Sequence, residues 1–290
     1  MIERIISILF PVFAITAIGY FVSLRRKPDM AQVNQLIADV FVPALVFGAL
    51  AGRDFHIYEY RWLALALLLV TMVCGVVAFG LARLLKISHR TLVPPMMFSN
   101  SINLGVPVAV LAFGDRALQP AIVLFLVSSL VHYSYGLWLL DHKARLSQMW
   151  RVPSLLAMLA GLAVSLLGIQ VWQPAVMALR MLGDICIPLM LFALGVRMTD
   201  ISFKGWNVGV ISGLVRPAAG MLLSFGVAEL LGLKGFEEGL LVIYGALPPA
   251  VMNYIFAERY NAEPERVASI VLIGNLLSIG VLPVALAFVL

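Results

Sequence analysis

Two short segments of this 290-residue chain carry residue types suited to holding a solute. The first is Ser99-Asn100-Ser101-Ile102-Asn103-Leu104-Gly105-Val106-Pro107; the second is Tyr244-Gly245-Ala246-Leu247-Pro248-Pro249, followed by Asn253. Their amides and hydroxyls donate and accept hydrogen bonds. Glycine lets backbone come close, and proline removes a backbone bond and breaks or kinks a helix. A broken helix presents free N–H groups at the start of its next piece, where aligned peptide dipoles favour an anion. The chemistry expected is therefore recognition. Asn100 and Asn103 would donate hydrogen bonds, half-helix dipoles at Gly105 and Gly245 would supply positive potential, and Pro107, Pro248 and Pro249 would set the breaks. The plainer alternative is a pair of packing kinks in an ordinary bundle.

Other polar residues stand in equally apolar surroundings. His132 and Asn275 lie 143 positions apart, and Ser128, Ser129 and Ser134 surround His132. His132 would make an interhelical hydrogen bond or relay protons; Asn275 would join helices or line a site. Arg216, followed by Pro217, lies deep in an apolar run. A cation there needs pairing or solvation, either from a bound carboxylate gripped bidentately or from Asp184 or Asp39. Each of those two acids precedes a proline by four residues, Pro188 and Pro43, at the start of a short apolar run. They would sit near headgroups at the end of an amphipathic helix, or handle protons or ions. Arg180 can snorkel to the interface, and Glu229 reads as interfacial.

The elements that must position these residues are membrane helices. Hydrophobic residues make up 62% of the chain and charged residues 12%, against roughly 25% charge in a soluble domain, and mean hydropathy is +1.01. About 20 apolar residues make a span. On that basis we expect an all-α membrane protein of ten transmembrane helices near 4–24, 31–52, 60–82, 91–113, 117–140, 153–170, 174–198, 206–232, 236–257 and 265–288. The first span precedes its positive cluster Arg25-Arg26-Lys27 and lacks a small-residue cleavage pattern, so it reads as a retained helix. The basic residues are spread over short connections, which argues for topology signals and against nucleic acid. Cys74 and Cys186 lie in apolar runs and form neither a disulfide framework nor a metal-ligand set.

The plan is written twice. Asp39-Val-Phe-Val-Pro43 returns as Asp184-Ile-Cys-Ile-Pro188, 145 positions on, and Phe113-Gly-Asp115-Arg116 returns as Phe256-Ala-Glu258-Arg259, 143 positions on. Residues 1–145 and 146–290 are thus expected as two five-helix repeats, with spans four and nine broken and crossing. This register pairs Ser99–Pro107 with Tyr244–Asn253. The odd-numbered connections hold thirteen Lys and Arg and the even-numbered ones five. That places the odd connections in the cytoplasm and both termini outside the cytoplasmic (inner) membrane. An odd number of spans per half makes the repeat an inverted one, as in many secondary carriers.

Taken in order, several motifs resemble the auxin efflux carrier family. They are Pro11-Val-Phe with Gly19-Tyr20, Val42-Pro43-Ala-Leu-Val-Phe47, Asn100-Ser-Ile-Asn-Leu-Gly105-Val-Pro107, Ile187-Pro188 with Gly195, and Leu247-Pro-Pro-Ala-Val-Met-Asn253-Tyr-Ile-Phe-Ala257 through Asn261. The resemblance implies a fold related to the bile acid sodium symporters. Spans one, two, six and seven would form a scaffold, with homodimers through it, and the rest an elevator-like transport domain. Asn100 would be the crossover Asn and Pro248 a crossover proline. The short connection Asp141 to Val152 is similar to that of short prokaryotic members, with malate- or malonate-type cargo rather than auxin.

The leading expectation is a secondary active transporter of a small organic anion, without cofactor and with H⁺ or Na⁺ coupling open. The alternative is a cation, proton or sodium-coupled exchanger or symporter on the same architecture. It would place carboxylates at the crossing, and neither crossing segment contains one. No metalloprotease or serine-hydrolase motif appears, so an intramembrane enzyme is not expected.

Overall fold

A computed structural model describes residues 1–51, 57–142, 152–200 and 205–290. The expected boundary at 145/146, most of the Asp141–Val152 connection, and five basic loop residues (Arg53, Lys143, Arg145, Arg151, Lys204) lie outside the described residues. The rest is all-helical, as a hydrocarbon environment demands of backbone that must satisfy its own hydrogen bonds. Among the described residues the one extended pairing is an isolated bridge between Ser99 and Pro249.

Helix α1 (Ile2–Arg26) ends with Arg25 and Arg26 in its last turn and Lys27 in the left-handed region, so cations meet its negative end. Helices α2 (Ala31–Leu36) and α3 (Val42–Leu50) are joined by a π-turn at Ile37–Phe41. Helix α4 (Arg61–Leu85) is unbroken. Then come α5 (His89–Met97), a π-turn at Ser101–Gly105, and α6 (Val106–Phe113). Helix α7 (Leu118–Val131) reaches α8 (Leu137–Leu140) through a third π-turn at His132–Gly136. After α9 (Pro153–Leu166) follow the long α10 (Gln173–Arg197) and α11 (Trp206–Leu231). The chain closes with α12 (Phe236–Ala246), α13 (Met252–Arg259) and α14 (Pro264–Val289).

Seven helical stretches among the described residues are long and apolar enough to cross a membrane: 2–26, 31–50, 58–85, 115–140, 173–197, 206–231 and 264–289. The other three expected spans are the 14-residue α9 and the two interrupted pairs α5–α6 and α12–α13.

The amphipathic stretches before Pro43 and Pro188 run on into the apolar stretches that follow them. At Pro43 the helix widens: the Val42 N–H reaches back five residues to the Ile37 carbonyl. The extra residue moves the carbonyl that the proline ring would otherwise strike. At Pro188 the helix continues without interruption, held by neighbours on which a membrane helix can lean when proline removes a bond.

The packing falls into two groups. Helix α1 lies along α10, and α3 packs on α9 and α10. The α1–α10 seam is close because Gly19 faces the Phe192 carbonyl and Gly195 faces the Thr16 carbonyl, with no room for a Cβ at either. In the second group α11 packs on α14, α12 and α4, and α4 on α5 and α7. The groups meet where α1 touches α6 and α14, where α3 touches α7, and where α10 touches the Ser101–Gly105 π-turn.

Candidate functional site

The two helix interruptions meet. Residue Leu247 is extended because a residue before proline is pushed out of the helical region, and Pro248-Pro249 lengthens the stop. No such local cause exists at Phe98, which is extended at the end of α5. It is held by the other break. Ala250 N–H donates to the Phe98 carbonyl at 2.9 Å, and Asn100 N–H donates to the Pro248 carbonyl at 2.8 Å. The crossing is therefore a one-residue antiparallel pairing of Ser99 with Pro249, in which an intrinsic break supplies the partner for one that lacks its own signal.

Carboxamides lock the crossing. Asn100 Nδ2 donates to Asn275 Oδ1 at 3.1 Å, and Asn275 Nδ2 donates to the Pro249 carbonyl at 3.1 Å and the Val271 carbonyl at 2.8 Å. Asn253 Nδ2 donates to the Phe98 carbonyl at 3.0 Å and the Ala250 carbonyl at 2.9 Å. All three side chains are buried. The Tyr244 hydroxyl donates to the Ala121 carbonyl at 2.8 Å, and its ring packs on Gly105, where a Cβ would collide with Leu247.

Three positions differ from the sequence expectation. The first break falls at Phe98–Asn100, not at Gly105–Pro107; Pro107 sits in the first turn of α6 behind a π-turn, where its missing N–H costs little. Gly245 lies in the last turn of α12, so it offers the negative end of a helix, and the positive ends are at Asn100–Ser101 and Val251–Met252. Finally, the bridge pairs positions 150 apart, not 143 to 145, so Asn103 corresponds to Asn253. The slip builds up before the bridge, since α5 has nine residues and α12 eleven, and the unequal helices after it, 101–113 and 252–259, reduce it again.

Beside the crossing lies a cavity of about 360 Å³. One wall is the crossing itself, Ser99 to Asn103 and Ala250 to Met252, with Ser128, Ser129, His132 and Tyr133. Further lining comes from α2, α9 and α10, which contribute Asn34, Ser154 and Arg197. Each of the three π-turns contributes lining residues: Ile37 and Ala38, Ser101 to Asn103, and His132 and Tyr133. Such turns widen a helix and often mark functional sites. Among the described residues no Asp or Glu lines the cavity, and no cluster of metal-ligating side chains occurs.

The family described as membrane transport protein, that of the auxin efflux carriers, matches residues 4–149 and 142–286. The chain belongs to this family. It is 22% identical to an uncharacterized transporter of Methanocaldococcus jannaschii, covering 94% of this chain and 95% of the relative. It is also 22% identical to a protein of Rhizobium meliloti provisionally named a malonate transporter, covering 95% and 93%. Auxin efflux carrier component 3a of Oryza sativa subsp. japonica is 29% identical over 145 residues, which are 48% of this chain and 23% of that protein.

In this multi-pass membrane transport protein the residues expected at a site divide into two sets. Asn100, Asn103 and His132 line the cavity. His132 is buried, stacked on Phe98 with ring centroids 4.1 Å apart, and edge-on to Phe256 at 5.1 Å. Its Nε2 lacks a hydrogen-bond partner, as does Oδ1 of Asn253. The second set, Gly105, Pro107, Tyr244, Gly245, Pro248, Pro249, Asn253 and Asn275, builds the crossing behind that surface.

Arg216 belongs to neither wall. It is 4% exposed, and its Nη1 donates to the Gly245 carbonyl at 3.1 Å. It thus meets the negative end of α12 in place of the cargo carboxylate, Asp184 or Asp39 expected for it. Asp39 and Asp184 are exposed on the outer surface of their helices and do not line the cavity. The sequence reading missed Asn34, Ser154 and Arg197. Arg197 carried a signal, a cation closing an apolar helix, but that signal reads first as topology.

Proposed function

We propose that this membrane transport protein is a secondary carrier of a small carboxylate or dicarboxylate across the cytoplasmic membrane. In this reading the chain forms ten spans as two inverted five-helix repeats, with α5–α6 and α12–α13 as the broken spans four and nine. One observation carries the proposal: a cavity of about 360 Å³ where two half-helix starts converge with Asn100 and Asn103, with no carboxylate among the described lining residues. Uncapped N–H groups and positive dipole ends attract an anion. The described lining offers a cation no carboxylate to pair with, which favours the anion carrier over the exchanger alternative.

The two packing groups support an elevator-like mechanism. The crossing, α7 and α14 would move as a body against α1, α3, α9 and α10, carrying the anion with them. The cavity reaches Asn34 in α2, Val152 to Ser154 at the start of α9, and Arg197 at the end of α10. By the charge rule these ends lie on the cytoplasmic face, so the described conformation is the one open to the cytoplasm. The name of the Rhizobium meliloti relative favours a short dicarboxylate as cargo.

The test is uptake by proteoliposomes of radiolabelled mono- and dicarboxylates, with pH and Na⁺ gradients imposed separately. Saturable uptake of at least one, lost in Asn100→Ala with folding retained, is the expected result. Equal uptake by empty and protein-loaded vesicles for every carboxylate overturns the proposal.

A further inference from the structure

One buried side chain beside the cavity has polar capacity that the fold does not use. His132 stands in the π-turn after α7, is 6% exposed, and lines the cavity together with Asn100 and Asn103. Its Nε2 has no hydrogen-bond partner, and neither has Oδ1 of Asn253, whose carboxamide lies next to the imidazole. Asn253 Nδ2 already donates to the Phe98 and Ala250 carbonyls, so what this residue leaves for the imidazole is an acceptor. A histidine can meet an acceptor with one N–H in either charge state and keep its other nitrogen to take up a proton. The ring is also tied to the crossing. It stacks on Phe98 with centroids 4.1 Å apart and planes 12° apart, and the Phe98 carbonyl is one of the two that pair the breaks.

The ring neighbours are Phe98, Tyr133 and Phe256, and α7 and α8, on either side of the π-turn, hold no ionisable residue. Among the described lining residues the other titratable groups are Tyr133 and Arg197, which keep their charge state through neutral pH. His89 and Arg90 open α5, at the other end of that helix from Phe98, and Glu258 and Arg259 close α13, which also carries Tyr254. We propose that His132 carries the coupling proton: it is protonated while the cavity holds an anion and neutral while it does not, so that one proton moves with each anion. The proposal rests on the carrier reading above and adds its driving ion. An anion in the cavity favours an imidazolium beside it, and the imidazolium favours the anion by the same factor. The two cancel one unit of charge while the body crosses the bilayer, where an uncompensated charge is costly, and the unloaded carrier returns with a neutral ring. The proton joins and leaves a ring nitrogen, and no other bond changes.

The experiment uses proteoliposomes, labelled malonate and malate as probes, and three proteins: wild type, His132→Gln, and a triple variant in which the other histidines, His56, His89 and His142, are Gln. Above about pH 6.5 carboxylates are ionised. In weakly buffered medium in that range, uptake by wild type and by the triple variant should make the medium alkaline, and half-saturation should rise by about tenfold per pH unit once the imidazole is mostly neutral. His132→Gln should lose the alkalinisation and hold its half-saturation within about twofold over the same range. In the triple variant His132 is the one imidazole left, and its NMR signal in isotope-labelled protein should titrate at least about one pH unit higher in saturating malonate than without it. Saturable uptake by wild type without proton movement, coupling that survives in His132→Gln or is lost in the triple variant, or a titration midpoint that malonate leaves in place overturns the inference with the carrier reading intact; the midpoint decides even where His132→Gln does not fold. If wild type takes up neither probe while another solute is moved, the carboxylate reading itself has failed and takes this inference with it.

Discussion

Replacing Asn275 by Ala tests whether the geometry of the crossing, rather than its mere presence, sets anion affinity. Asn275 is 4% exposed and makes three hydrogen bonds through one carboxamide, two of them to other segments. Its loss leaves Asn100 Nδ2 and the Pro249 carbonyl without those partners. Side-chain hydrogen bonds between membrane helices average about 0.6 kcal/mol and reach about 1.7, while leaving a buried polar group unsatisfied costs about 1–3 kcal/mol. Together these place the cost at about 1–3 kcal/mol, or about 5- to 150-fold in the population of the ordered crossing. Two readouts follow: unfolding of purified protein by heat or detergent, and half-saturation of uptake. Stability should fall by that amount, and half-saturation should rise several-fold although Asn275 lies behind the cavity wall. Lower stability with unchanged half-saturation would refute the link between crossing geometry and binding; no change in either would refute the accounting itself.

The asparagines four positions beyond the bridge in each segment should separate affinity from stability. Asn103→Ala removes a cavity-lining amide and should weaken uptake at least several-fold with little effect on thermal stability, whereas Asn253→Ala removes the second donor from the Phe98 and Ala250 carbonyls, each of which keeps a backbone N–H, and should destabilise by about 0.5–1.5 kcal/mol; melting curves and uptake on the same preparations decide. Gly195→Ala places a methyl against the Thr16 carbonyl and should cost about 1–3 kcal/mol through overpacking of α1 on α10, read as loss of monodisperse protein on a sizing column. The double substitution Asp39→Asn with Asp184→Asn should leave uptake within about twofold of wild type, since both acids are exposed and away from the cavity; a loss of gradient-driven uptake would return them to the coupling role.

What was legible in the sequence was local. The apolar runs, the double proline at Pro248-Pro249, and the polar segment Ser99–Asn103 each act within a few residues, and the structure places the polar segment and the double proline at one crossing. The break at Phe98 was not legible, because no proline or glycine beside it causes it; the carbonyl of Phe98 is held by Ala250 and Asn253, 152 and 155 positions away. The register of 143 to 145 did not give the pairing at the crossing, where the bridged positions are 150 apart, because α5 and α12, which lead into it, differ in length. Arg216 was read as needing a carboxylate, but a helix C-terminus is a diffuse negative charge that no sequence motif displays. Arg197 was hidden by a second meaning, because a cation ending an apolar helix serves topology whether or not it also faces a cavity.

The central claim is that the transported anion sits in the cavity beside the crossing. Ser129 lines that cavity, and the two native cysteines, Cys74 and Cys186, are buried, so Ser129→Cys places a reactive thiol at the site in question. The decisive measurement is its alkylation rate by a membrane-impermeant reagent applied from the basic face, across a range of concentrations of the anion that the uptake screen selects. The account predicts protection that saturates, with a midpoint matching the half-saturation of uptake by the same variant. Labelling at one constant rate, while uptake by that variant saturates normally, would contradict it.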